Sequence, residues 1–142
     1  MTKTMEAWDD SYLIGIDDLD AEHRHFVALL DDIFRQASTG APMTALAEPL
    51  ADFIHQFSRH AAKEAALLHR LAQPAGIAHR GNHIAGHARF LDAAHALREH
   101  CAAGSATPAE IDRLGVLLTL FELIEADYEM VGHLKREGLL GP

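Results

Sequence analysis

The sequence predicts an all-α protein, an up-down-up-down four-helix bundle with an N-terminal arm. Three observations favour this fold. Four long segments are rich in Ala, Leu, Glu and Arg, which form helices readily. Val, Ile and Thr do not alternate with polar residues over any strand-length stretch, so a sheet is not expected. Pro and Gly fall mainly between the four segments, where they are typical of turns.

The four predicted helices span residues 19–38, 43–71, 77–103 and 108–134. Apolar residues three and four apart give the first helix one buried stripe, and Gly40 follows it at a position where helices often end. Gly104 lies at the equivalent position, just after the third helix. Thr107 and Pro108 are typical of an N-cap and a first helical position, and they begin the fourth helix. Helices about 30–40 Å long with short turns favour an antiparallel bundle.

The chain of 142 residues suits one domain. We expect residues 1–18 to form an arm packed on the bundle, residues 19–135 to form the bundle, and residues 136–142 to form a tail. The net charge of -9 argues against a nucleic-acid partner or an anionic membrane surface. The start has no apolar signal-like run, and no apolar run approaches the ~20 residues that span a bilayer. A single cysteine fits a reducing compartment, so we expect a cytoplasmic protein.

Eleven histidines are the unusual feature of the composition, and histidine is the commonest metal ligand in proteins. His60 and Glu64 lie four residues apart in the second predicted helix, and His83 and His87 lie four apart in the third. Each pair therefore shares one helix face and can hold one cation. Each pattern alone is weak, because exposed histidine pairs also occur in alanine-rich helices.

The other two predicted helices add donors of the same kind. The first offers His23, and the fourth offers Glu122 and Asp127. Facing helices of a bundle build metal sites from inward-pointing His, Glu and Asp residues. Nitrogen and carboxylate donors without thiolates favour iron or manganese over a structural zinc site.

The order of these motifs resembles the bacterial hemerythrins, from Trp8 to about Tyr128. The resemblance begins in the arm with Trp8, Tyr12, Gly15-Ile16 and Asp20-Ala-Glu22-His23. The two spaced pairs and Asp127 then follow in the family's order. The combination is specific, because unrelated helical bundles would rarely repeat both the arm and the ordered donors.

The resemblance implies a bundle that holds two non-haem irons joined by a bridging oxo or hydroxo group. One iron would keep an open position for dioxygen. The implied ligands are His23 and His60 on the open iron, His83 and His87 on the other, and Glu64 and Asp127 as bridges. Trp8 and Tyr12 are interpreted as packing residues, and Asp20 and Glu22 as residues that orient His23 or cap its helix.

The chain departs from the family pattern at Glu122, which stands five residues before Asp127 where the family has its last histidine. In an α-helix five residues leave two side chains about 140° apart. We interpret Glu122 as a seventh ligand, because its neighbours are apolar and an unpaired carboxylate there would be costly. A carboxylate that points to solvent is the alternative. Ala61, Ala65 and Thr119 also differ from the family's usual residues.

The extra carboxylate would lower the charge of a diferric site to about +1, against about +2 with a neutral histidine. An anionic oxygen donor favours Fe(III), so we expect this protein to oxidise readily after it meets dioxygen. The smaller Ala61 and the polar Thr119 would admit water or peroxide more easily. His79, four residues before His83, could support that histidine or replace it.

The leading hypothesis is therefore a binding protein for dioxygen, or for another diatomic molecule or peroxide, that serves in carriage, buffering or sensing. A diiron oxidase or peroxidase that acts on dioxygen, peroxide or NO is the alternative, and whether the chain is an enzyme stays open. Two further alternatives are an iron-sensing or redox-sensing module and a bundle with incidental histidines. An apolar stripe on the fourth helix would be covered by the arm or by a second copy of the chain in a homo-oligomer.

Overall fold

The computed structural model describes residues 8–140, apart from the side chains of Phe121, Leu123 and Ile124. Every regular element in that part of the chain is helical, so the predicted all-α class is confirmed. The five α-helices are α1 (Asp17–Ser38), α2 (Ala47–Leu68), α3 (Pro74–Ala102), α4 (Pro108–Val116) and α5 (Asp127–Arg136). Short 3-10 turns occupy Asp10–Tyr12 and Met43–Leu46. None of these helices combines the length and the low polarity that crossing a membrane requires. The outer ends of the predicted arm and tail, residues 1–7 and 141–142, lie outside the described residues.

The helix ends follow the predicted turn chemistry. Gly40 and Gly104 both have positive φ values, 97° and 75°, which a residue without a side chain adopts freely. The amide of Ser105 donates to the carbonyl of His100 over 2.9 Å, which closes the last turn of α3. The hydroxyl of Thr107 accepts a hydrogen bond at the start of α4. Local sequence therefore defines where these helices stop and start.

The fourth predicted helix differs from the prediction, because it is not α-helical throughout. A π-helical segment, Leu117–Ala126, lies between α4 and α5. In a π-helix each amide bonds the carbonyl five residues earlier, and here the Asp127 amide donates to the Glu122 carbonyl. Residues five apart are therefore about one turn apart in this segment. The α-helical angle of about 140° between these two side chains does not apply.

Two apolar clusters enclose the middle of the helices. The larger cluster contains Phe26 and Phe57, and the smaller contains Leu19 and Leu68. Along α1 and α2 these residues lie on either side of the predicted donors His23, His60 and Glu64. The polar side chains of the centre are therefore shielded from water at both ends by buried carbon.

The segment before α1 is tied to it by hydrogen bonds. The Asp20 carboxylate accepts from the amides of Ile14 and Gly15, at 2.8 and 3.1 Å. Tyr12 is buried, and its ring meets Trp8 edge to face with 5.3 Å between centroids. Asp20 thus holds the preceding chain against α1, and within the described part of the chain no hydrogen bond links it to His23.

Candidate metal centre

Six of the seven side chains that the sequence singled out converge in one buried cluster. Each of the six is at most 4% exposed. Their ligand atoms form two overlapping groups, within each of which all atoms lie within 4.8 Å of one another: His23, His60, Glu64 and Asp127 in one, and Glu64, His83, His87 and Asp127 in the other. Two groups that share two carboxylates provide two neighbouring positions for cations.

The Glu64 carboxylate reaches both positions. Its Oε1 atom lies 2.9 Å from Nε2 of His87 and 3.3 Å from Nε2 of His83. Its Oε2 atom lies 3.3 Å from Nε2 of His60 and 3.6 Å from Nε2 of His23. The central turns of α2 carry Glu64 one turn after His60, so both point to the same side of the helix.

Asp127, at the start of α5, spans the same two positions from the opposite wall. Its Oδ2 atom lies 3.0 Å from Nε2 of His23, and its Oδ1 atom lies 3.2 Å from Nε2 of His83. The π-helical segment before it sets the position from which this carboxylate reaches the centre. The two carboxylates thus belong to both groups of donors.

Several buried polar atoms of this cluster have no hydrogen-bond partner in the described part of the chain. They include Oε2 of Glu64 and Oδ1 of Asp127. Nε2 of His23 lies 3.1 Å from Nε2 of His60, and two imidazole lone pairs repel at that separation unless a proton or a cation lies between them. Buried polar atoms are costly without partners, and a cation would satisfy these. The imidazole and carboxylate donors fit non-haem iron.

Without a cation, the electrostatics of the cluster favour protons. Burial lowers the pKa of His23, but Asp127 and Glu64 outweigh burial and raise that pKa to about 9. The pKa of His83 is raised to about 10 because the same two carboxylates again outweigh burial. Burial raises the pKa of Glu64, but the four histidines around its carboxylate leave that pKa well below its usual value. The metal-free site therefore holds protons where metal cations would lie, and loading must release them.

We expect the metal-free protein to become less stable as the pH rises from about 6.5 towards 10. A histidine whose pKa is raised by folding contributes its full stabilisation below its unfolded value of about 6.5 and loses it as the pH passes its folded value. His23 and His83 have folded pKa values of about 9 and about 10. Urea denaturation of metal-free protein across this window checks the trend. Metal-loaded protein is the control and should change less, whereas an equal midpoint throughout for the metal-free protein would count against the protonated cluster.

His60 is oriented by a carboxylate on the neighbouring helix. Its Nδ1 atom donates to Oε1 of Glu22 over 2.7 Å, and Lys63 donates to Oε2 of Glu22 over 2.6 Å. With the proton on Nδ1, Nε2 of His60 presents its lone pair to the centre. The sequence interpretation was that Glu22 orients His23 or caps its helix, and the structure pairs Glu22 with His60 instead. The cross-helix pairing has no signal in residue spacing along one helix.

His83 has a comparable support on its own helix. Nε2 of His79 lies 3.0 Å from Nδ1 of His83, and Nδ1 of His79 lies 3.4 Å from Oε2 of Glu129. His79 is buried, so this contact is shielded from water. The spacing of four residues between His79 and His83 is the sequence pattern that identified His79. His25, by contrast, bonds Gln56 at the surface.

Glu122 lies at the edge of the cluster and belongs to neither of the two groups. Its side chain is buried, and its Oε2 atom lies 3.7 Å from Nε2 of His87. Burial raises the pKa of Glu122. The π-helical turn brings this carboxylate to the same side as Asp127, so the alternative in which it points to solvent is wrong.

The structure also shows where Thr119 and Ala61 lie, two other residues that differ from the family's usual ones. The Thr119 hydroxyl donates to the carbonyl of Gly115 over 3.1 Å, so the backbone already occupies this polar group. Ala61 packs partly buried against the larger apolar cluster. We expected Thr119 to admit water or peroxide to the site, but its hydroxyl proton is already bonded to the backbone.

A cavity of about 470 Å³ adjoins the cluster on the side of Glu122 and His83. The opposite side is closed by aromatic rings: Phe26 and Phe57 lie 5.2 and 5.6 Å from the ring centroid of His60. The centre is therefore open towards the π-helical segment and shielded beside His60.

Comparison with known proteins gives one match. The model of the hemerythrin family, described as the hemerythrin HHE cation binding domain, matches residues 14–137. Searches of curated proteins and of solved structures found no match. The matched region covers most of the chain and includes all seven side chains of the candidate centre.

Proposed function

This chain belongs to the hemerythrin family, and from that premise we propose that it is a non-haem diiron protein that binds dioxygen. The observation that carries the proposal is the pair of overlapping donor groups that share Glu64 and Asp127. A His, Glu and Asp cluster without thiolates is the donor set expected for iron. Two reduced iron ions, with an oxo or hydroxo group between them, would supply the electrons and the open coordination position that dioxygen requires.

The proposed ligands divide between the two metal positions. His23 and His60 would hold the ion with the open position, His83, His87 and Glu122 would hold the other ion, and both ions would share Glu64 and Asp127. The remaining work of the chain is orientation and exclusion of water. Glu22 and His79 hold the rings of their partner histidines through Nδ1. Phe26 and Phe57 keep water away from His60.

We also propose the order of the helices in the bundle and the bounds of the arm and the tail. The four long helical segments run up-down-up-down, with α4, the π-helical segment and α5 together forming the fourth. Contacts of α1 with α2 and α4, and of α3 with α2 and α5, support this order. Residues 1–18 form the arm, residues 19–135 the bundle and residues 136–142 the tail. The acidic charge and the single cysteine support a cytoplasmic protein without a nucleic-acid partner.

Stopped-flow spectroscopy of the reduced, iron-loaded protein tests this function. Mixing with dioxygen should give a rapid absorption change that passes to the diferric spectrum within minutes, because Glu122 favours Fe(III). The proposal would be contradicted if the protein took up no iron, or if dioxygen left its iron absorption spectrum unchanged. A dioxygen-dependent spectrum that persists for hours would contradict only the expected ease of oxidation.

An oxidase or peroxidase that acts on dioxygen, peroxide or NO is the second candidate. The cavity of about 470 Å³ beside Glu122 favours it, since that volume far exceeds a diatomic molecule and falls within the range of small-molecule sites. Steady-state consumption of peroxide or NO would separate an enzyme from a binding protein.

A further inference from the structure

The cavity beside Glu122 lies between α3 and the π-helical segment, where two walls of different character meet. Phe90, Leu117 and Ala126 provide apolar surface, while His83 and Glu122 stand where the cavity borders the metal centre. Its volume of about 470 Å³ is in the range of sites that bind small organic molecules. The cavity therefore offers apolar surface next to the polar groups that border the metal centre.

The Glu122 carboxylate faces both the centre and the cavity. Its Oε2 atom lies 3.7 Å from Nε2 of His87. Its Oε1 atom lies on the cavity side, 3.9 Å from the point that a Cβ atom on Gly86 would occupy. No hydrogen bond to Glu122 is present among the described residues, although its side chain is only 9% exposed. Neither oxygen of Glu122 is among the enclosed atoms that lack a partner, so the carboxylate is accessible from the cavity and can accept a hydrogen bond there.

Charge around the cavity selects against ions. Glu125 and Glu129 line it together with Glu122, so the walls are acidic and repel anions. The Arg89 guanidinium stands beside Gly86 in the same wall, and together with bound metal ions it would disfavour cations. An uncharged ligand suffers neither penalty.

We propose that this cavity binds one small uncharged molecule with an apolar body, which donates a hydrogen bond to Oε1 of Glu122. The body packs against Phe90 and Leu117, and the donor bonds the carboxylate oxygen that faces the cavity. The site is distinct from the open position beside His23 and His60, because the cavity borders neither of them. Donation to Oε1 withdraws charge from the carboxylate and so weakens its preference for Fe(III). This effect on iron rests on the proposed function, whereas the binding itself requires only the cavity.

Gly86 provides a test, since it has no side chain where the cavity meets Glu122. A Cβ atom there would lie at ordinary contact distance from Arg89 and Glu122, so Gly86→Ala fits and Gly86→Leu fills the space. Gly81 lies on the same helix with nothing within 4 Å, and Gly81→Leu is the matched control for the change in helix propensity. Benzyl alcohol, an uncharged donor with an apolar ring, is the probe. Its binding to iron-loaded protein is measured by equilibrium dialysis and by titration of the iron absorption bands.

The expected result is saturable binding of one molecule per chain, with a shift of the iron bands. Gly86→Leu should weaken binding at least about tenfold, Gly86→Ala should weaken it less, and Gly81→Leu should leave it unchanged. Absence of saturable binding, or equal binding to Gly86→Leu, overturns the inference. Iron content is measured on every sample, so a protein without iron refutes the proposed function, while binding without a band shift refutes the link to Glu122.

Discussion

Replacing Glu64 with glutamine is expected to abolish the two-metal centre. The Glu64 carboxylate lies within 2.9 to 3.6 Å of Nε2 of all four histidines of the cluster, whereas Asp127 contacts one histidine of each pair. Glutamine has the same shape but lacks the negative charge that offsets two adjacent cations. We expect affinity for the second iron to fall by at least about 100-fold, which exceeds the usual effect of removing a supporting hydrogen bond.

Iron per chain, measured after reconstitution and desalting, should fall from about two to one or fewer in Glu64→Gln. Glu48→Gln is the matched control, because Glu48 is exposed on the same helix and far along it from the cluster. Circular dichroism establishes that both variants keep their helices. Full iron loading of Glu64→Gln would show that this carboxylate does not bridge.

Replacing Glu122 with histidine should slow oxidation of the reduced protein in air by about tenfold or more, which corresponds to about 1.4 kcal/mol. The physical reason is the loss of one negative charge beside the metal position of His83 and His87, which removes part of the preference for Fe(III). The wavelength of the iron absorption bands should shift as well, because the donor changes from oxygen to nitrogen.

Glu125→His is the control for this substitution. Glu125 is exposed, lies three residues along the same π-helical segment and lines the same cavity. Its replacement should leave the iron bands and the oxidation rate near those of the unaltered protein. Identical bands and identical rates in Glu122→His and the unaltered protein would mean that Glu122 does not touch iron.

Much of the helical framework followed from local sequence. Gly40 and Gly104 end helices because they adopt positive φ values. Thr107 begins a helix because its hydroxyl accepts a hydrogen bond from a backbone amide. Spacing of four along α2 and α3 placed His60 beside Glu64 and His83 beside His87, since α-helical geometry fixes which residues share a face. The structure adds how the two faces meet.

Contacts between different helices and departures from α-helical geometry could not be predicted in this way. The bond from His60 to Glu22 joins α2 to α1, and periodicity along one helix carries no information about it. The relation of Glu122 to Asp127 was misjudged because an α-helical angle was applied to a segment that is π-helical. The same π-helical segment lines the cavity, so no sequence pattern predicted the cavity.

Diffraction from crystals of iron-loaded protein, with anomalous data collected at the iron edge, tests the central claim most directly. The account predicts two anomalous peaks, one beside His23 and His60 and one beside His83 and His87, with Glu64 and Asp127 in contact with both. A single peak, or peaks elsewhere in the molecule, would contradict the two-metal centre. Absence of any peak from protein prepared with excess iron would contradict iron binding altogether.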